Sequence, residues 1–174
     1  MSICLYDVIE NGLPYDFDSE ANVKRLISLA GTQRLPETDN FCIESAGLSA
    51  LTQMEWAIRR SVQEGKIEVN CNAQTNSQII NRINNGEEYY DDLPETVEMC
   101  EMLKTQTPRL FKLYEAVLNG FCRDKNLLLA KNNPKAFQVK GSPEFLQFLK
   151  NNGVKNYFVT GAVVEKGMGM HEEV

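Results

Sequence analysis

Apolar positions recur at intervals of three and four along most of the chain, the spacing of one face of an α-helix. The stretch DSEANVKRLISLAG places Val23, Leu26, Ile27 and Ala30 on one face, with Asp18 or Ser19 as cap and Gly31 as stop. Residues Ser49–Glu64 repeat the pattern with Leu51, Met54, Ala57, Ile58 and Val62, and Gly65 closes it. TNSQIINRINNG reads as a shorter helix. Leu93-Pro94-Glu95 opens another, carrying Val97, Cys100, Met102 and Leu103. Thr107-Pro108 predicts a fresh start, with threonine as N-cap and proline in the first helical position. That helix carries Leu110, Phe111, Tyr114, Val117, Leu118 and Phe121, with a break near Gly120.

Two short runs interrupt the helical pattern. ICLYDVI, residues 3–9, is a compact apolar run with Asp7 in its middle and reads as a buried strand, followed by turn residues at Asn11-Gly12 and Pro14. KIEVNCN alternates Ile67, Val69 and Cys71, as a short strand would.

The stretch GSPEFLQFLKNNGVKNYFVTG, residues 141–161, is locally the most explicit. Ser142 can cap a helix, Pro143 suits its first position, and Glu144 adds negative charge at the positive end of the helix dipole. Phe145, Leu146, Phe148 and Leu149 form an apolar face, and Gly153 supplies a left-handed stop. Tyr157-Phe158-Val159 then reads as a buried strand emerging at Thr160-Gly161. Helix, glycine turn and apolar strand make half of a parallel crossover. A hydroxyl and a glycine N–H at the carboxyl end of such a strand suit a phosphate oxygen. On residue type alone, Thr160 also serves simply to end a strand and Gly161 to make a turn.

Composition narrows the function classes. The chain has 174 residues and a net charge of −6, without a run of Lys and Arg beyond Arg59-Arg60, so a nucleic-acid partner is not expected. Its five cysteines, Cys4, Cys42, Cys71, Cys100 and Cys122, lack the close spacing of zinc or redox pairs and read as reduced thiols in a cytoplasmic protein. One histidine, His171, does not make a Cys/His metal site. No apolar run is long enough to span a membrane, and no membrane partner is expected.

The 141–161 segment resembles the region of the second motif in the haloacid-dehalogenase-like (HAD-like) hydrolases, where a G-x-x-E-F-L-x-x-L-K-x-x-G helix leads into an apolar strand ending in Thr or Ser. The resemblance covers about 20 residues. It implies an α/β fold: a partial Rossmann-like parallel sheet with a large helical cap insertion. Residues 1–18 would supply the first strand and turn, 19–133 the helical cap, and 134–174 the crossover helix, strand and start of the next helix. It further implies phosphomonoester hydrolysis through a phospho-aspartate, with Asp7 as nucleophile and ligand of Mg²⁺, and Thr160 and Gly161 holding the phosphoryl group of a small phosphorylated substrate. Ile9 stands where the family has its second Asp, so the general acid/base is missing. Lys166 follows too closely, with no strand of its own, and Glu172 and Glu173 read as the start of a helix and not as a strand end, so the later motifs lack their residues. The implied molecule is therefore a truncated, weakly active or inactive derivative, with an exposed sheet edge open to self-association. The alternative is a non-enzymatic, mostly helical interaction or regulatory protein. In that reading, Glu87-Glu88, Tyr89-Tyr90 and Asp91-Asp92 belong to a solvated or partner-binding loop.

Overall fold

Residues 3–9 fold as helix, not strand. In the computed structural model, which describes residues 1–30, 32, 34–87 and 90–157 (without the side chains of Phe121 and Cys122), α1 runs Ser2–Asn11. Its buried side chains are Cys4, Leu5, Val8 and Ile9. They fall at i, i+1, i+4 and i+5, which is one face of a helix but both faces of a strand. A seven-residue run, apolar except for Asp7, is too short to separate the two by composition, and tertiary packing decided it.

Five further helices complete the unit Met1–Leu118: α2 Glu20–Leu29, α3 Pro36–Glu44, α4 Ala50–Gln63, α5 Ala73–Asn84 and α6 Val97–Val117. Their starts are set by local chemistry. Ser19, Ser49, Asn72 and Thr96 each accept a hydrogen bond from a backbone N–H of the first turn. Asp18, the other candidate cap for α2, serves elsewhere. The expected restart at Thr107-Pro108 does not occur: Pro108 lies inside the single helix α6, which Thr96 caps. The apolar face of α6 runs through Met99, Leu103, Leu110, Leu113 and Val117, and its burial outweighs the hydrogen bond that proline removes.

The core gathers around α4, which packs against α1, α5 and α6, while α1 also meets α3. Leu5, Ile9, Phe41, Met54, Ala57, Ile58, Ile79, Ile83 and Leu110 are fully buried there. Phe41 and Trp56 lie with ring centroids 4.9 Å apart, tilted by 58°. Ser61 Oγ donates to the Val8 carbonyl at 2.5 Å, joining α4 to α1 through a buried hydrogen bond.

The second unit is Asn119–Val174. A π-helical turn, Leu118–Arg123, contains Gly120, where a break was expected. It leads into α7, Asp124–Asn132, then a 3₁₀ turn Pro134–Phe137 and α8, Ser142–Asn151. Gly141, with φ of 86°, precedes α8, so Ser142 is its first residue and makes no side-chain cap bond. Gly153, with φ of 72°, ends the turn after the helix as the sequence indicates.

The expected α/β fold, a partial Rossmann-like parallel sheet with a helical cap insertion, is therefore corrected. Among the described residues there is no strand: 3–9 is α1, and 67–72 enters no ladder. Tyr157 is exposed and irregular, and Phe158, Val159, Thr160 and Gly161 lie outside the described residues.

Candidate functional site

A cleft of about 650 Å³ opens in the 1–118 unit between the C-terminal half of α1, the loop at 13–17, the first turns of α2 and the segment after α4. Asp7 lines it. So do Leu13 and Ile67, which give it apolar wall, and Asp16 and Glu68, which give it charge.

Asp7 projects off the buried face of α1, which is why a charged residue is accepted in so apolar a helix. Its carboxylate accepts from Arg25 Nη2 of α2. Arg25 is steadied from below, its Nε donating to Asn22 Oδ1 at 2.8 Å. Asn22 in turn donates to the Phe17 carbonyl and, through its backbone N–H, to the Ser19 cap at 3.2 Å. The acid singled out in the sequence is thus one end of a relay that fixes α2 against α1.

On the opposite side, Lys66 Nζ pairs with Glu64 at 2.7 Å and donates to the Ile9 carbonyl at the end of α1. Arg60 donates to the other Glu64 oxygen at 2.8 Å. Burial works against the Glu64 charge, but these two cations outweigh it and hold the carboxyl below its usual range. Gly12 fits this corner because it has no side chain: φ is +85°, and a Cβ would collide with the Lys66 carbonyl oxygen.

The rim is braced by Arg109 of α6. Its Nε and Nη2 grip the two oxygens of Asp18 at 2.9 and 2.5 Å, and Nη2 also reaches the Tyr15 carbonyl at 3.0 Å. The guanidinium lies over the Phe17 ring, 4.6 Å from its centroid. Hydrogen bonding from Arg109 holds the Asp18 carboxyl below the ordinary carboxylate value, against a smaller opposing effect of burial.

Both cations of the cleft, Arg25 and Lys66, are therefore committed to internal carboxylates. Asp16 and Glu68 are exposed, and their side chains make no hydrogen bond or ion pair among the described residues. The cleft brings together no nucleophile and base: Ser19 Oγ is used as a helix cap, and Asp7 faces a guanidinium. Around Asp7 the described residues do not fit Mg²⁺. Arg25 holds positive charge where a dication bound to Asp7 would have to sit, and no group of three or more acidic, His or Cys side chains suited to a metal forms among the described residues. Thr160 and Gly161, the expected phosphate ligands, lie outside the described residues.

A second polar cluster, illegible in the sequence, is closed to ligands. Arg59, one of two adjacent arginines, is only 1% exposed. It forks onto Glu95 at 2.6 and 2.8 Å and donates from Nε to Glu55 at 2.8 Å. Asn76 accepts from Arg59 Nη1 at 3.2 Å, while its own amide donates to the Arg59 carbonyl. Tyr90 donates to Glu55 at 2.8 Å. Burial, then the Glu55 charge, push its phenol well above the ordinary value. Asp92 is likewise engaged, forked onto Arg82 at 2.5 and 2.8 Å. Tyr90 is thereby tied into the fold, whereas Asp92 keeps an exposed side chain while paired with Arg82. The i,i+4 spacing of Glu55 and Arg59 was visible in the sequence, but that spacing also describes an ordinary surface pair.

Compared with known proteins, the chain matches no family model, and no curated protein or solved structure matches it.

Proposed function

We propose that residues 1–118 form a non-enzymatic helical recognition module whose cleft beside Asp7 takes a short basic segment of a partner polypeptide. The observation that carries this reading is the division of charge in the cleft. Its cations are internally neutralised, while the Asp16 and Glu68 carboxylates remain unpaired beside the half-buried apolar side chains of Leu13 and Ile67. A Lys or Arg head would meet the carboxylates, and its methylene stem or an apolar neighbour would cover the wall. The phosphohydrolase expected from the resemblance needs Asp7 at the end of a strand in a parallel sheet. Asp7 is instead within α1 and paired with Arg25.

The test uses the full chain with a labelled Lys/Leu peptide and its Glu/Leu counterpart, followed by fluorescence anisotropy. The basic peptide should bind preferentially, and D16K/E68K should weaken it by about fivefold or more per carboxylate at low salt. Equal binding of both peptides, or an unaffected double variant, would remove the assignment of the cleft. Hydrolysis of p-nitrophenyl phosphate with Mg²⁺ that D7N abolishes would overturn the non-enzymatic reading itself.

A further inference from the structure

Charge is segregated along the chain. Residues 1–118 contain ten Lys and Arg against nineteen Asp and Glu, whereas residues 119–157 contain seven Lys and Arg against two acids. The same basic stretch displays its large apolar side chains. No described side chain between 119 and 157 is buried. On α8, Phe145 and Phe148 are 60% and 61% exposed, and beyond it Tyr157 is 75% exposed. Before α8, Phe137 and Val139 are exposed too. Phe145, Phe148 and Leu149 fall at i, i+3 and i+4, so they share one face of the helix. Lys140 precedes this face, and Lys150 and Lys155 follow it; none of the three makes an ion pair among the described residues.

We infer that residues 137–157 dock on an anionic phospholipid surface, with the phenylalanine face of α8 at the boundary of headgroups and acyl chains and the lysines among the anionic headgroups. Two complementary demands are met by one segment. Aromatic and leucine side chains at helical spacing bury readily in the interfacial layer. Lysines at the ends of the helix gain from the negative surface potential. A nucleic acid would neutralise the lysines but leave the Phe145/Phe148 face uncovered, and the basic stretch holds a single arginine for base or phosphate forks. The absence of a membrane-crossing helix among the described residues does not bear on this, because a peripheral helix lies in the interface and does not span it.

The experiment is flotation of the full chain with vesicles of phosphatidylcholine alone or containing about a third phosphatidylserine. The chain should float with the anionic vesicles and not with the neutral ones, and less as salt rises. F145D/F148D should reduce binding at least tenfold. K150E/K155E, which leaves the apolar face intact, should reduce it by about fivefold or more per lysine. All these side chains are exposed, and far-ultraviolet ellipticity equal to wild type would show that the variants keep the α8 helix. No flotation with anionic vesicles would overturn the inference. So would flotation unchanged in both variants, or preference for polyglutamate or duplex DNA over vesicles.

Discussion

At the scale of single residues, Arg59 is where the fold is most exposed to damage. A fully charged guanidinium lies under α4 and survives because Glu95, Glu55 and Asn76 surround it with acceptors. Burial opposes its charge, yet those carboxylates more than offset the effect and raise its pKa. Arg59→Ala strands Glu95 and Glu55 near the interior, so urea unfolding should show a loss of about 3–5 kcal/mol. Arg109 sets up a gentler test. The folded-state pKa of Asp18 lies below its ordinary 3.8, so its stabilising contribution is complete above that value and is lost as pH falls through the folded value. Arg109→Met removes the cause, and its stability should fall less steeply than wild type below about pH 4 in acid titrations followed by circular dichroism. Neither pair was legible in advance. Arg109 and Asp18 are 91 residues apart, and the Arg59–Glu95 contact spans 36, so only the folded chain brings them together.

At the scale of elements, local signals decided what they could decide. Ser19, one of the two caps the sequence offers for α2, caps it, and Gly153 ends the turn after α8, because each acts on its own backbone within a few residues. The failures are equally physical. Residues 3–9 are helical because Cys4, Leu5, Val8 and Ile9 find one common core, information that lies in α3, α4 and α6. The Thr107-Pro108 start was overridden because Leu103 and Leu110 face the same core on either side of the proline. Asp7 was legible as the notable acid of its segment, but its partner Arg25 was not, and that partner changes what Asp7 can do. The junction of α1 with the segment after α4 offers a direct check. Gly12→Ala meets both a positive φ and the Lys66 carbonyl. It should cost about 1–3 kcal/mol by denaturant titration.

At the scale of the whole molecule, the two units differ in kind. Every buried hydrophobic side chain described lies in 1–118, and 119–157 has none. Cooperative unfolding needs a shared core, so a fragment ending at Leu118 should retain a single calorimetric transition. A fragment covering 119–157 in buffer should melt without one. Loss of the transition from the first fragment would show that its core depends on the residues removed.

The tilted pair of Phe41 and Trp56 also gives the molecule an internal optical label. Trp56 is the chain's single tryptophan. Indole emission therefore follows the core of 1–118 alone, whereas far-ultraviolet ellipticity sums the helices of both units. Where the two signals separate during a melt, the difference belongs to α7 and α8, so their loosening can be timed without attaching a dye.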